Sequence, residues 1–234
     1  MTTQLISQEN FCLEIDHISI FDRDNLSSVF LLESLGFHCS ERVIERRSQG
    51  TISTVFFFEN TYLELVHLVD RNIAKNFAIE NGIDILARTY WKKTGASPFG
   101  IGLRSKPIFT PQKSHRHNLE ISRFTNFSSE NLALSEEPLC FFIPDNLALT
   151  TWLDPLNLSH RQLTSHPLGI KKLTNVKLTI TSNKELTNIV ALLKDNQVFS
   201  IKQGSSPLLE LQFDRAARGE LIDARPVLPM IISY

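Results

Sequence analysis

A strand–helix pattern that occurs near both ends of the chain constrains its fold more than any other feature. Residues 14–21, EIDHISIF, alternate β-branched and polar side chains as a strand does. Asp22 and Asp24 are candidate helix caps. NLSSVFLLESLGF then carries Leu26, Val29, Phe30 and Leu32 at helical spacing, and Gly36 is a natural stop. Three extended stretches follow: the polar HCSERVIERR, then TISTVFFFE, then TYLELVHLV, separated by turns at SQGT and at Glu59–Asn60. The expected order is β-α-β-β-β.

The C-terminal part repeats the pattern in compressed form. LTNVKLTI reads as a strand, Ser182 and Glu185 as a capping box, and ELTNIVALLKDN as an amphipathic helix that Asn196 can end. QVFSIKQ and, as a final strand, LLELQFD follow. Leu63-Glu64-Leu65 recurs as Leu209-Glu210-Leu211, and such internal duplication decides fold class. The predicted division is a first module over 10–70, a middle segment over 71–169, and a compressed second module over 170–234. In the middle, PFGIGLR, ISRFTNF and PLCFFI are expected strands, 70–90 is helical in part, and 105–118 is an exposed loop or hairpin tip.

Alternation also sorts the side chains by face. Ile18, Ile20, Leu63 and Leu65 fall on one side in the first module, and Val176, Leu178, Ile180, Leu209, Leu211 and Phe213 in the second. The opposite face then carries His17, Glu64, Lys177 and Glu210. Buried there, such a polar set must satisfy itself. In the run Phe56-Phe57-Phe58, Phe57 alone faces the other way, as an apolar cavity wall.

DHISIFDRDNLSSVFLLESLGF with TVFFFENTYLELV resembles the opening module of the glyoxalase-like, or vicinal-oxygen-chelate, superfamily. PLCFFIPDN and SHPLGIKKLTNVKLTI resemble its larger glyoxalase-like branch, in which a middle insertion separates two modules. The resemblance implies an α+β fold of paired βαβββ modules whose curved mixed sheets form a cup. This is the architecture of glyoxalase, bleomycin-resistance and dihydroxybiphenyl-dioxygenase proteins. It also implies a metal site with ligands on the first and last strands of each module. Carried over, the ligands are His17, Glu64 and Glu210. The remaining position falls on Lys177, whose ammonium has no lone pair to offer.

Two readings of that set stay open beside the bland one, in which the residues are ordinary polar groups. In one, His17, Glu64 and Glu210 bind iron, manganese, nickel or zinc, the metal acts as a Lewis acid on a small oxygenated substrate, and Glu64 or Glu210 moves protons. In the other, Lys177 sits between Glu64 and Glu210 in place of the metal, and the cup binds without one. Lys177, Tyr62, Phe57 and Arg104 are the candidate substrate-binding residues. Arg42, Arg46 and Arg47 are either a solvated strand edge or an anion-capturing rim. His67 is expected to be packed and His166 to fix a chain entry, with the other possibility that it lines the cavity. His115 and His117 are expected to be solvated.

Composition narrows the function classes. The 234 residues include 24 Lys+Arg and 25 Asp+Glu, a net charge of -1 that lacks the footprint of a nucleic-acid binder. Three cysteines, Cys12, Cys39 and Cys140, without C-x-x-C suit a reducing compartment. Neither a secretory leader nor an apolar run near the ~20 residues of a membrane span is visible. The expectation is a cytoplasmic protein with a small-molecule ligand, no nucleic-acid or membrane partner, and possible homodimerisation. An isomerase, lyase or dioxygenase, a sequestering protein, and a scaffold with a vestigial cup all remain candidates.

Overall fold

The computed structural model describes residues 11–107, 128–154 and 156–234. ISRFTNF, His115 and His117 lie outside those residues, as does most of the 105–118 loop. The first stretch runs β1 (Phe11–Asp22), α1 (Asn25–Ser34), β2 (Val43–Arg46), β3 (Thr51–Phe57) and β4 (Tyr62–Leu68), the expected β-α-β-β-β order. The Asp24 carboxylate accepts from Ser27 N–H at the start of α1, and Gly36, at φ +88°, takes the left-handed turn that ends it. The polar second strand is shorter than expected, covering only Val43–Arg46.

The middle of the chain supplies α2 (Arg71–Asn81), α3 (Ile85–Thr89), α4 (Trp91–Thr94), β5 (Phe99–Pro107), α5 (Ser129–Ala133), β6 (Leu139–Phe142), α6 (Leu149–Trp152) and α7 (Leu158–Leu163). β5 and β6 join the first sheet, whose order is β2-β3-β4-β1-β5-β6. The remainder gives β7 (Leu173–Ile180), α8 (Asn188–Asp195), β8 (Ser200–Gln203), β9 (Leu208–Phe213), β10 (Leu221–Asp223) and β11 (Met230–Ser233). These strands form a second sheet in the order β10-β11-β9-β7-β8. The fold is therefore α+β, with two mixed sheets.

The two sheets share a pattern of strand directions. In the first, β1 is antiparallel to β5, and each has a parallel outer neighbour, β4 and β6. In the second, β7 is antiparallel to β9, with parallel neighbours β8 and β11. Each parallel pair requires a crossover, and α1 and α8 lie in two of these connections. β9 is not the final strand that the sequence suggested.

One large core joins the two sheets. Ile18, Ile20, Leu63 and Leu65 of the first sheet pack in a single buried cluster with Val176, Leu178, Leu209 and Leu211 of the second, together with Leu32 of α1 and Val190 and Leu193 of α8. These are the aliphatic sides assigned by alternation. Polar ties reinforce the junction. Glu137, fully buried, accepts from Thr187 N–H at 2.9 Å and from Thr187 Oγ1 at 2.5 Å, and Glu130 accepts from Asn188 N–H. The N-terminus of α8 is thus capped by side chains from α5 and from the turn before β6. The expected Ser182–Glu185 box is not formed, because the helix starts later, at Asn188.

The other face of the first sheet is roofed by the chain itself. At one end Phe21, Val66 and Leu139 pack against Phe77 of α2, Ile83, and Ile85 of α3. At the other end Val55 and Phe57 pack against Leu149 and Trp152 of α6, Leu153, and Leu163 of α7. A belt of polar side chains lies on the strands between these two apolar patches.

Candidate functional site

The belt is built by strand register. Parallel pairing sets Ser19 beside Glu64 and His17 beside Tyr62. On the other side of β1, Gly102 stands opposite His17 and Gly100 opposite Ser19. A Cβ at Gly102 would lie 2.5 Å from His17 Cε1 and 2.6 Å from Nδ1, so the ring rests where only glycine leaves room. The His17 ring stacks on Tyr62, with centroids 4.5 Å apart, and meets Phe141 edge-on.

Glu64 is the charge at the centre, and its side chain is almost wholly buried. Its Oε2 accepts from Ser19 Oγ at 2.9 Å, and its Oε1 accepts from Arg46 Nη1 at 2.5 Å. Burial opposes ionisation of Glu64, but the Arg46 guanidinium, with help from His17 and Ser19, outweighs it and holds the carboxyl below its usual range. Arg46 Nη1 also donates to Ser53 Oγ. Tyr62, beside these groups, has its phenol pushed up by burial and by the charges of Glu64 and Asp16.

Behind His17 stands Asp16. A β-bulge at Ile15–His17 breaks the alternation and buries the Asp16 carboxylate completely. Its Oδ1 lies 3.0 Å from His17 Nδ1, and its Oδ2 accepts from Leu149 N–H at 2.8 Å and from Arg104 Nη1 at 3.3 Å. Burial opposes its ionisation too, yet these hydrogen bonds and the nearby Arg104 charge keep its carboxyl below the usual range. The Asp16 contact orients the imidazole. His17 Nε2 has no hydrogen-bond partner among the described residues and lies 3.8 Å from Glu64 Oε2.

The second sheet does not complete this site. Lys177 and Glu210 are cross-strand neighbours on β7 and β9, with Lys177 Nζ 3.4 Å from Glu210 Oε1. Lys202 Nζ approaches Glu210 Oε2 at 2.7 Å, and all three side chains are part-exposed. Hydrogen bonds from Lys202 and the Lys177 charge outweigh burial and hold the Glu210 carboxyl low. Lys177 therefore does not bridge Glu64 and Glu210; the cation on Glu64 is Arg46. Nor is Glu210 the counterpart of Glu64. β4 runs parallel to β1, whereas β9 runs antiparallel to β7, so the two L-E-L triplets occupy different places in their sheets.

Two further candidates have packing or clamping roles. Phe57 is buried against Trp152 and Tyr62. Arg104 is clamped, with Nε donating to Glu14 at 2.7 Å and Nη2 to the Asn60 carbonyl at 2.9 Å, so it acts on the site through Asp16. His166 is structural: Nδ1 accepts from His38 N–H at 2.9 Å, and Nε2 lies 2.8 Å from the Phe57 carbonyl.

A cavity of about 90 Å³ opens beside Glu64 under α2 and α3. Its walls are apolar, from Phe21, Val66, Ile83, Ile85, Leu139 and Phe141, and its polar side is Ser19, Glu64, Arg46 and Gln49. Sequence reasoning left Arg46 on either a solvated strand edge or the rim, and it missed Asp16, Phe141 and the roof. The D-H pair was visible in the sequence; the bulge that buries the aspartate was not.

The donor set does not fit a metal ion. Among the described residues no group of three His, Cys, Asp or Glu side chains could hold one, so His17, Glu64 and Glu210 do not form the expected ligand set. Both Glu64 oxygens are already engaged, one by a cation.

The first stretch of the chain has the β-α-β-β-β order, in an α+β fold of two mixed sheets. A solved hypothetical protein from Staphylococcus aureus is 13% identical, with a TM-score of 0.52 over 95% of this chain and 99% of that chain. A mutant of 4-hydroxymandelate synthase from Streptomyces coelicolor is also 13% identical, with a TM-score of 0.42 over 86% of this chain and 70% of that chain. The likeness to the Staphylococcus aureus protein concerns the fold alone. No protein-family model matches the sequence, and no curated protein matches it. No helix among the described residues is long and apolar enough to cross a membrane.

Proposed function

We propose that this vicinal-oxygen-chelate-like protein binds a small organic acid in the roofed cup of its first sheet, without a metal. The observation that carries this reading is Arg46 at the cavity. Its Nη1 is anchored on Glu64 and Ser53, while Nε and Nη2 make no hydrogen bond to described residues. A guanidinium held in this way offers a fork to a carboxylate. The apolar walls suit a branched or ring-bearing body.

The cavity is small beside typical ligand pockets of roughly 300–1,000 Å³. The ligand is therefore compact, or it enters with displacement of the α2–α3 roof, whose inner side packs through Phe77, Ile83 and Ile85. Thermal-shift titration with short branched and aromatic carboxylates tests the reading. A melting temperature that rises with ligand concentration, and no longer rises in Ile83→Trp, is expected. No response to any such acid, or a response unchanged in the filled variant, would sink it.

A further inference from the structure

We infer that a second cleft, at the junction of the two sheets, binds an uncharged polyhydroxylated molecule the size of a single sugar ring. The cleft encloses about 240 Å³, against about 90 Å³ for the cup cavity, and shares no lining residue with it. One side comes from β1, β5 and the Asn60–Thr61 turn, the other from the start of β7 and the turn that follows α8. Its floor is pinned in place. Asn60 Nδ2 donates to the Leu173 carbonyl at 2.8 Å, and Asn60 Oδ1 accepts from Leu173 N–H at 2.9 Å, so one amide ties β7 to the first module. The buried Arg104 donates in turn to the Asn60 carbonyl. A cleft formed in advance costs little to order when a ligand enters.

The charges disfavour ions of either sign. Glu14 and Arg104 are the charged residues in the lining, and Arg104 Nε donates to Glu14 at 2.7 Å. The other two guanidinium nitrogens go to Asp16 and to the Asn60 carbonyl, so an anion finds each nitrogen already engaged. A cation would meet the same guanidinium and be repelled. The opposite side is neutral: Asn175, Asn196 and Gln197 line it, and a side-chain amide both donates and accepts. The amides of Asn175 and Gln197 make no hydrogen bond to described residues, and Asn196 spends only Nδ2, on the Leu192 carbonyl. Hydroxyl groups, which also do both, complement them, and Leu13, Ile15 and Val198 offer carbon faces alongside. Gln197 adds a separate observation. Its φ is +58°, in the left-handed region that glycine adopts without steric cost. A glutamine held there, in a cleft wall, is backbone strain of the kind that collects at ligand sites.

Saturation-transfer NMR on the full chain, with D-glucose and myo-inositol as probes, is the test. Wild type should transfer saturation to at least one of the two. Asn175→Trp, at an exposed position of β7, should block the cleft and abolish the transfer. Ile83→Trp fills the cup cavity instead and should leave the transfer intact, so this site and the carboxylate site succeed or fail separately. Gln197→Gly separates binding from folding. Its affinity for the polyol should fall about tenfold, the worth of one good hydrogen bond. Its melting temperature should hold or rise, because glycine relieves the left-handed turn. No transfer to either polyol from the folded wild type would overturn the inference. Transfer that persists in Asn175→Trp, transfer that vanishes in Ile83→Trp, or an unchanged affinity in Gln197→Gly would do the same.

Discussion

His166 offers a direct test of how the segment between α7 and β7 is tied to the first module. It is buried, and its Nδ1 accepts a backbone N–H, so that nitrogen cannot carry a proton without losing the bond to His38. Nε2 must then donate to the Phe57 carbonyl. Burial, opposed by the Phe57 bond and reinforced by His38, pushes the His166 pKa down to about 4. In an unfolded chain the ordinary value is about 6.5, and the difference corresponds to roughly 3 kcal/mol. The sign follows from which state takes the proton. Above about pH 6.5 the ring is neutral in both states and the full contribution is present. As pH falls, the unfolded chain binds a proton that the native protein refuses. Stability drops by up to about 1.4 kcal/mol per pH unit until the native ring also protonates near pH 4. Urea denaturation of wild type and His166→Gln at several pH values from 7 to 4 isolates the effect, because the carboxylates common to both cancel. The wild-type advantage should shrink across that window. An advantage that stays constant would refute the assigned hydrogen-bond roles.

Other substitutions test the site's construction. Gly102→Ala places a methyl against the His17 ring and should cost about 1–3 kcal/mol while weakening carboxylate binding, measured by denaturation and calorimetry. Lys177→Met removes one member of a part-exposed group and should cost less than about 1 kcal/mol; a much larger loss in the melt would return Lys177 to the buried role first expected of it.

The sequence discloses the parts of this molecule that rest on side-chain periodicity. β7 occupies Leu173–Ile180 as expected, and the aliphatic faces of β1, β4, β7 and β9 all enter the common core. His17 and Glu64 share a face for the same reason. Periodicity says which face a side chain takes, but not which way its strand runs. That is why Glu210 was equated with Glu64 although β9 and β4 have opposite relations to their neighbours. Asp16 escaped because a bulge breaks the period. β10 and β11 escaped because they have three and four residues, too few to establish one. The Arg46–Glu64 pair depends on β2 lying across β3 from β4, a tertiary arrangement invisible to local pattern.

The repeated strand directions carry a consequence for how such a chain can diverge. Four parallel pairs, β1/β4, β5/β6, β7/β8 and β9/β11, support the two sheets, and the first spans the full β-α-β-β-β unit. Scaffold and chemistry are thereby uncoupled. A duplicated unit can shed its polar residues while its aliphatic side goes on filling the shared core. On the second sheet Lys177 and Glu210 form a part-exposed ion pair, while Val176, Leu178, Leu209 and Leu211 of the same strands fill the shared core. Variation there has little to disturb, whereas in the first unit a change at Gly102, Asp16 or Arg46 alters the surroundings of a buried charge.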